Sequence, residues 1–171
     1  MKKTKNYENF PLWIVFLSNF VSIAIYLIGL YIFLQLGIFF AFLYLIYILL
    51  MEFRLLTKSC KYCYYYGKTC AFGRGKCCAL FFRKSNPKIF LKKEITMKDI
   101  LPDFLVFLLP LIGGIILLFF NFYWLIVILL VILVALGLGG NAFVRSSYAC
   151  RYCKQREIGC PAEKIFRKKK R

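Results

Sequence analysis

The sequence predicts an all-α membrane protein with four transmembrane helices, arranged as two tandem hairpins that are each followed by a cysteine-rich cytoplasmic segment. Two long runs carry no charged residue, one of 43 residues at 9–51 and one of 41 residues at 104–144. All 25 Lys and Arg residues and all eight cysteines lie outside those runs. Hydrophobic residues make up 61% of the chain, whereas soluble domains hold about 45–50%, so the excess indicates a bilayer.

Each uncharged run is long enough for two crossings of a membrane. One crossing needs about 20 apolar residues, and a single helix of the longer run would extend to roughly 64 Å, about twice the hydrocarbon thickness. Turns are predicted where polar and small residues interrupt the runs, at Gln35-Leu36-Gly37 and at Asn121-Phe122. The first span is too long for a cleaved signal and leads directly into the second. The predicted spans are 11–34, 36–55, 101–120 and 122–144.

The basic residues predict the orientation. Three lie in the head before the first span, twelve lie between residues 52 and 103, ten lie from residue 145 onward, and the two hairpin turns hold none. Because basic residues near span ends stay in the cytoplasm, both termini and the central loop are expected on the cytoplasmic side of a prokaryotic cell membrane. The predicted segments are a basic head (1–10), hairpin 1 (11–55), a cysteine-rich loop (56–100), hairpin 2 (101–144) and a polybasic tail (145–171).

The two halves share a cysteine spacing. Cys60, Cys63 and Cys70 follow the first hairpin, and Cys150, Cys153 and Cys160 follow the second, both in the pattern C-[KR]-Y-C-x6-C. A Phe-Arg-Lys triplet comes after each set, at 82–84 and at 166–168. This pattern indicates an internal repeat of hairpin, basic exit and cysteine segment. Because both copies begin on the same side, a pseudo-twofold axis would run along the membrane normal.

The cysteine spacing predicts metal binding. In a C-x2-C pair two thiolates can converge on one ion, as in structural zinc sites, and the chain has no histidine to contribute. Cys60, Cys63 and Cys70, completed by Cys77 or Cys78, would form a four-thiolate set. The second set has three cysteines, and its fourth ligand would be Glu157, Glu163, water or a cysteine from the adjacent pair. The predicted metal ligands are therefore all eight cysteines, and the predicted cofactor is Zn2+.

Other uses of the cysteines remain open. An Fe–S cluster also takes four thiolates, and Cys160-Pro161 matches the end of bacterial ferredoxin motifs, although the x6 spacing does not. Disulfides rank second to metal because the cytoplasm keeps thiols reduced. Thiol–disulfide exchange ranks third, since a thioredoxin-like pair needs a βαβ setting that these loops have little room for. The many lysines and arginines around both sets would stabilise thiolates.

Three functions follow from these patterns. The preferred hypothesis is a membrane protein with two zinc knuckles in a structural or docking role, and the alternatives are an Fe–S electron carrier and a soft-metal transporter. Ion pumps usually place ionisable groups at mid-membrane, whereas the charged residues of the predicted spans lie only at the span boundaries, which weighs against that class. No phosphate-binding loop or catalytic triad is present. The residues leave enzymatic activity open but favour a non-enzymatic role.

The expected partners follow from charge. The basic loop and tail favour contact with anionic lipid headgroups, to which each basic residue contributes about 1 kcal/mol. Nucleic acid is not expected, because no binding module is visible. A protein partner or a homo-oligomer is left open. Residues 88–104 are predicted to begin the third span through an interfacial helix, in which Thr96 and Asp99 form a capping box.

Overall fold

The computed structural model describes residues 6–87, 89, 96–120 and 122–161. These residues form helices and turns, with one isolated β-bridge between Tyr7 and Cys153 and no strand within the described ranges. The α-helices, in chain order, are α1 (Leu12–Leu36), α2 (Ile38–Lys58), α3 (Arg74–Phe81), α4 (Met97–Phe120), α5 (Trp124–Val134), α6 (Asn141–Val144) and α7 (Lys154–Gly159).

Four helical stretches are long and apolar enough to cross a membrane, which confirms the prediction of four such helices. They are Leu12–Leu36, Ile38–Tyr62, Lys98–Phe120 and Trp124–Ala149. Only 17–28% of an 18-residue apolar window in each stretch is buried inside the protein, so most of the side chains in that window are available to lipid.

The helix boundaries agree closely with the sequence at the first turn and differ at the end of the fourth span. Gly37 separates α1 from α2 with a φ of 144°, which only glycine adopts readily. In the second predicted turn Asn121 lies outside the described residues, and Phe122 is not helical. Helical structure continues five residues beyond the predicted end at 144, through π-helical turns at Ala135–Gly140 and Arg145–Ala149. Hydropathy indicates where the apolar stretch ends, whereas a helix can continue through polar residues that do not break it.

The helix of the third span begins four residues before the predicted span start at 101. α4 starts at Met97, directly after Thr96, and Asp99 lies in its first turn. An acidic residue there favours helix initiation through the helix dipole. Most of the predicted interfacial segment before Thr96 lies outside the described residues.

The chain divides into two compact units. The cysteine unit takes the described parts of Met1–Asn19, Phe53–Met97 and Val144–Arg171, and the helical unit takes those of Phe20–Glu52 and Lys98–Phe143. The cysteine unit has a small core of buried Phe10, Ile14, Tyr65, Ala71 and Ala149. Half-buried residues pack against this core, among them Cys63, Cys70 and Cys153. Residues from both cysteine sets thus share one core.

In the helical unit, tyrosines bond to backbone carbonyls of α4. Pro110 lies inside α4 and has no N–H, so the carbonyl of Val106 loses its usual helical partner. The Tyr44 hydroxyl donates a hydrogen bond to that carbonyl at 2.9 Å. One turn along α2, Tyr47 donates to the Pro102 carbonyl at 2.7 Å. An unpaired carbonyl costs several kcal/mol in an apolar medium, so Tyr44 makes the interruption in α4 tolerable.

α1 and α2 contact each other at two levels. The rings of Phe33 and Tyr44 lie 4.9 Å apart between centroids, and Tyr26 donates to the Glu52 carboxylate at 2.7 Å. The sequence separation between contacting residues of α1 and α2 therefore increases with their distance from Gly37. Antiparallel helices joined by a one-residue turn make contacts of this kind.

Candidate thiolate site in the cysteine unit

The first cysteine segment, residues 60–70, opens with a tight turn. The Cys63 amide donates to the Cys60 carbonyl at 3.2 Å, and the Tyr66 amide donates to the Cys63 carbonyl at 3.1 Å. The Lys61 ammonium lies 5.0 Å from the centre of the Tyr62 ring. This turn brings the two cysteines of the C-x2-C pair to one end of the segment.

The second cysteine segment, residues 150–160, has the same local structure. The Cys153 amide donates to the Cys150 carbonyl at 3.4 Å, and the Arg156 amide donates to the Cys153 carbonyl at 3.1 Å. The Arg151 guanidinium lies 5.7 Å from the centre of the Tyr152 ring. Turn, hydrogen bonds and cation–ring contact therefore correspond position by position in the two segments.

Burial is the main influence on the pKa of the second cysteine of each pair, and nearby backbone amides oppose it. Burial raises the pKa of Cys63 to about 11, while hydrogen bonds from the amides of Tyr65 and Tyr64 act in the opposite direction. Burial raises the pKa of Cys153 to about 12, and the amides of Gln155 and Arg156 again oppose it. N–H groups directed at sulfur stabilise a thiolate, which is the form that binds metal.

The two segments also exchange hydrogen bonds with each other. The Tyr64 amide, one residue after Cys63, donates to the Gln155 side chain at 2.7 Å. The Lys154 amide, one residue after Cys153, donates to the Tyr65 hydroxyl at 3.0 Å. In both cases the residue directly after the second cysteine of one pair donates its amide to the side chain that lies two residues after the second cysteine of the other pair. Gln155 and Tyr65 are 5% and 2% exposed, so these bonds are shielded from water.

Gln155 also connects Cys63 to the end of the second segment. Its amide nitrogen donates to the Gly159 carbonyl at 3.0 Å, so one side chain joins the residue after Cys63 to the residue before Cys160. Negative charge on Cys70 or Cys160 would raise the pKa of Cys63 further, which places both sulfurs within electrostatic range of it. Cys160 therefore lies within electrostatic range of Cys63, a member of the first set.

A short stretch of the N-terminal head binds both cysteine segments. The Tyr7 amide donates to the Tyr152 carbonyl at 3.1 Å, and the Tyr7 carbonyl accepts from the Tyr65 hydroxyl at 2.6 Å. The Phe10 amide donates to the Thr69 carbonyl at 2.9 Å. The head thus contributes structure to the site as well as charge.

The remaining cysteines have different surroundings. Cys77 and Cys150 are exposed, whereas Cys78 is fully buried in α3 and its thiol donates to the Leu56 carbonyl at 3.6 Å. Burial raises the pKa of Cys78. All eight cysteines are free thiols. In the adjacent pair Cys77-Cys78, the Cys77 sulfur is therefore exposed to solvent and the Cys78 sulfur contacts a backbone carbonyl.

The predicted ligands do not converge into a preformed metal cage. Within the described ranges, no group of three or more Cys, Asp or Glu side chains is arranged to hold an ion. Of the candidate fourth ligands, Glu163 lies outside those ranges and Glu157 is exposed on α7. The structure brings parts of both cysteine sets onto one core, and the assignment of all eight cysteines as ligands stays a prediction.

No family model matches the chain, and neither curated proteins nor solved structures gave a match. The assignment of the candidate site therefore depends on the geometry of its residues.

The cysteine spacing does not predict three residues that are important to this geometry. Tyr65, Gln155 and Tyr7 make hydrogen bonds that join the head and the two cysteine segments. The run Tyr64-Tyr65-Tyr66, in so basic a segment, was the available signal for Tyr65. Gln155 had no such signal, because an isolated glutamine in a polar tail is ordinary.

Proposed function

We propose that the chain is a four-pass protein of a prokaryotic cell membrane whose paired cysteine segments bind zinc in the cytoplasm and serve a structural or docking role. The four helices would form two tandem hairpins, each followed by its cysteine segment, and the two segments would be copies of one unit. The observation that carries the proposal is the packing of Cys63, Cys70 and Cys153 against one core, together with the reciprocal hydrogen bonds that join their two segments.

The chemistry of the donors supports a metal ion. Thiolates are zinc's preferred protein ligands where histidine is absent, and they must be deprotonated to bind. Burial opposes deprotonation of Cys63 and Cys153, so a bound cation would supply the missing stabilisation. Three cysteines are candidates to complete a set around Cys63. Cys60 shares its turn, Cys70 packs against the same core, and Cys160 follows Gly159, to which the Gln155 side chain bonds.

The first experiment measures metal content in the full-length protein purified without oxygen. We expect zinc in the wild type, and loss of most of it in both Cys63→Ser and Cys153→Ser. Lys76→Gln is the control, because Lys76 is exposed in the same unit and is not a predicted ligand. A wild-type protein that carries no metal and whose eight thiols are all alkylated under native conditions would contradict the proposal.

The same preparation distinguishes the alternatives. Iron with acid-labile sulfide and a brown colour would indicate an Fe–S protein and replace the zinc assignment. Zinc uptake into proteoliposomes that is abolished in Cys60→Ser and Cys150→Ser would indicate transport. Bound zinc without flux or colour is the result that the structural role predicts.

The orientation needs its own test. Positive charge near the span ends supports cytoplasmic termini. In intact cells, a membrane-impermeant maleimide should leave Cys77 and Cys150 unlabelled and should label a cysteine introduced at the exposed Ile38. Labelling of Cys77 or Cys150 from outside the cell would reverse the proposed orientation.

A further inference from the structure

A cavity of about 250 Å³ opens in the cysteine unit beside the thiolate site. Small-molecule pockets run from about 300 to 1,000 Å³, so this cavity suits a small group rather than an extended ligand. Its walls include Tyr64, Tyr66, Lys68, Lys84 and Gln155. Two ammonium groups and no carboxylate line it.

The two lysines reach the cavity in different ways. The Lys68 ammonium donates to the Tyr64 hydroxyl at 3.1 Å and lies 4.5 Å from the centre of that ring. Lys84 has an exposed side chain on a backbone segment fixed on both sides, where Tyr66 donates to the Phe82 carbonyl at 2.6 Å and the Ser85 amide donates to the Lys61 carbonyl at 3.0 Å. Both residues therefore line one cavity, Lys68 with an ordered side chain and Lys84 from a fixed stretch of backbone.

The charge at the cavity is poorly balanced. Lys154 lies 5.3 Å from the Tyr64 ring centre on the margin of the same cluster, and it pairs with the Glu8 carboxylate at 2.9 Å. Among the described residues, neither Lys68 nor Lys84 makes such an ion pair with a carboxylate, although Lys68 contributes to lowering the Glu8 pKa after Lys154. Within the part of the chain that the structure describes, Glu8 is thus the carboxylate that interacts with Lys154 and Lys68, and Lys84 has no ion pair.

The polar walls are already satisfied by the protein. Gln155 uses both ends of its amide on Tyr64 and Gly159, and Tyr66 donates to a carbonyl. The ammonium groups are then the part of the cavity with hydrogen bonds left to donate. Lysine binds phosphate as a point charge through short charge-assisted bonds, and two lysines facing one space match a group with several anionic oxygens.

We propose that this cavity binds a phosphate group, presented either by an anionic phospholipid headgroup or by a soluble phosphate compound. Lys68 and Lys84 contact the phosphate oxygens, and Tyr64 positions Lys68. The proposal goes beyond the zinc site, which borders the cavity through Cys63. Neither Lys68 nor Lys84 is a predicted metal ligand, so phosphate binding and metal content are separate measurements.

The test uses full-length protein in detergent, with calorimetric titration of inorganic phosphate and native mass spectrometry of added phosphatidylglycerol. Lys68→Gln/Lys84→Gln is expected to weaken binding at least tenfold in one or both assays. Lys58→Gln/Lys76→Gln is the matched control, with the same loss of charge at exposed positions of the same unit that do not line the cavity. Circular dichroism checks that both double variants are folded.

The two assays identify the source of the phosphate. Lipid adducts that phosphate displaces, and that the cavity variant loses, indicate a headgroup. Saturable phosphate binding without cavity-dependent lipid adducts indicates a soluble ligand. Equal weakening in the cavity variant and the control would show nonspecific attraction to a basic surface, and this result or the absence of binding in both assays would overturn the proposal.

Discussion

The two units use buried polar groups for different purposes. In the helical unit, Tyr44 pairs with a carbonyl that Pro110 deprives of its helical partner, so the contact repairs an interruption within a helix. In the cysteine unit, Gln155 and Tyr65 accept amides that lie 91 and 89 residues away in the sequence. Both units contain polar contacts between distant parts of the chain, but those of the helical unit satisfy carbonyls of one helix, whereas those of the cysteine unit join the two cysteine segments to each other. Substitutions should therefore affect the two units in different ways.

A pair of glycine substitutions should produce the largest contrast. A Cβ at Gly75 would collide with the backbone oxygens of Tyr65 and Lys68, whereas a Cβ at Gly139 has open space among the described residues. Backbone atoms cannot rotate away, so Gly75→Ala is expected to destabilise the protein by about 3 kcal/mol and Gly139→Ala by about 0.5 kcal/mol or less. Denaturant unfolding followed by near-ultraviolet circular dichroism measures both, and equal effects would contradict the described packing at Gly75.

Alkylation of the metal-free protein should give the next largest effect. The pKa of Cys63 is raised from 9.0 to about 11 by burial. Because the thiolate fraction falls about tenfold per pKa unit, Cys63 should react with iodoacetamide at pH 8 roughly 100-fold more slowly in native than in unfolded protein. Quantitative mass spectrometry of the alkylated peptides gives both rates. Equal rates would mean that Cys63 is not buried as described.

The same shift has a consequence for stability. A thiol whose pKa is raised on folding favours the folded state fully below its unfolded pKa, here 9.0. That contribution is lost as pH rises toward about 11 for Cys63 and about 12 for Cys153. The metal-free protein should therefore become less stable above pH 9, whereas zinc-bound protein should change less.

Removal of the Gln155 side-chain amide should reduce the free energy of unfolding by less than the clash in Gly75→Ala. Gln155→Leu leaves the Tyr64 amide and the Gly159 carbonyl without their partner in a buried setting. An unsatisfied buried group costs about 1–3 kcal/mol, so about 2 kcal/mol of destabilisation is expected. Glu157→Gln, on the exposed face of the same short helix, serves as the control and should be near neutral. A neutral Gln155→Leu would show that the two cysteine segments do not depend on this bridge.

The smallest effect is expected in the helical unit. Tyr44→Phe removes the hydrogen bond to Val106 and should cost about 0.6–1.7 kcal/mol, the range measured for hydrogen bonds between transmembrane helices. Pro110→Ala would return an N–H to α4 and give the Val106 carbonyl its helical partner. Tyr44→Phe should therefore cost less in a Pro110→Ala background. Additive effects in this double-mutant cycle would mean that Tyr44 does not compensate for Pro110.

The apolar helices were predictable because hydropathy and chain length are local properties. Two uncharged runs of about 40 residues must form two helices each to fit a bilayer, and Gly37 marks one turn through its own backbone freedom. The shared spacing C-[KR]-Y-C likewise predicts the tight turns at Cys60–Cys63 and Cys150–Cys153. The continuation of the fourth helix to Ala149 was missed because a helix can extend beyond its apolar stretch.

By itself, the sequence determined four apolar helices and the separation of sulfur and positive charge from them. Tertiary structure alone decided that the two cysteine segments share a core, that Gln155 and Tyr65 join them, and that Lys68 and Lys84 face one cavity. The physical reason is the range of the interactions. Burial of an apolar run is set by the residues within it, whereas a hydrogen bond across about 90 residues exists only after packing has brought its two ends together.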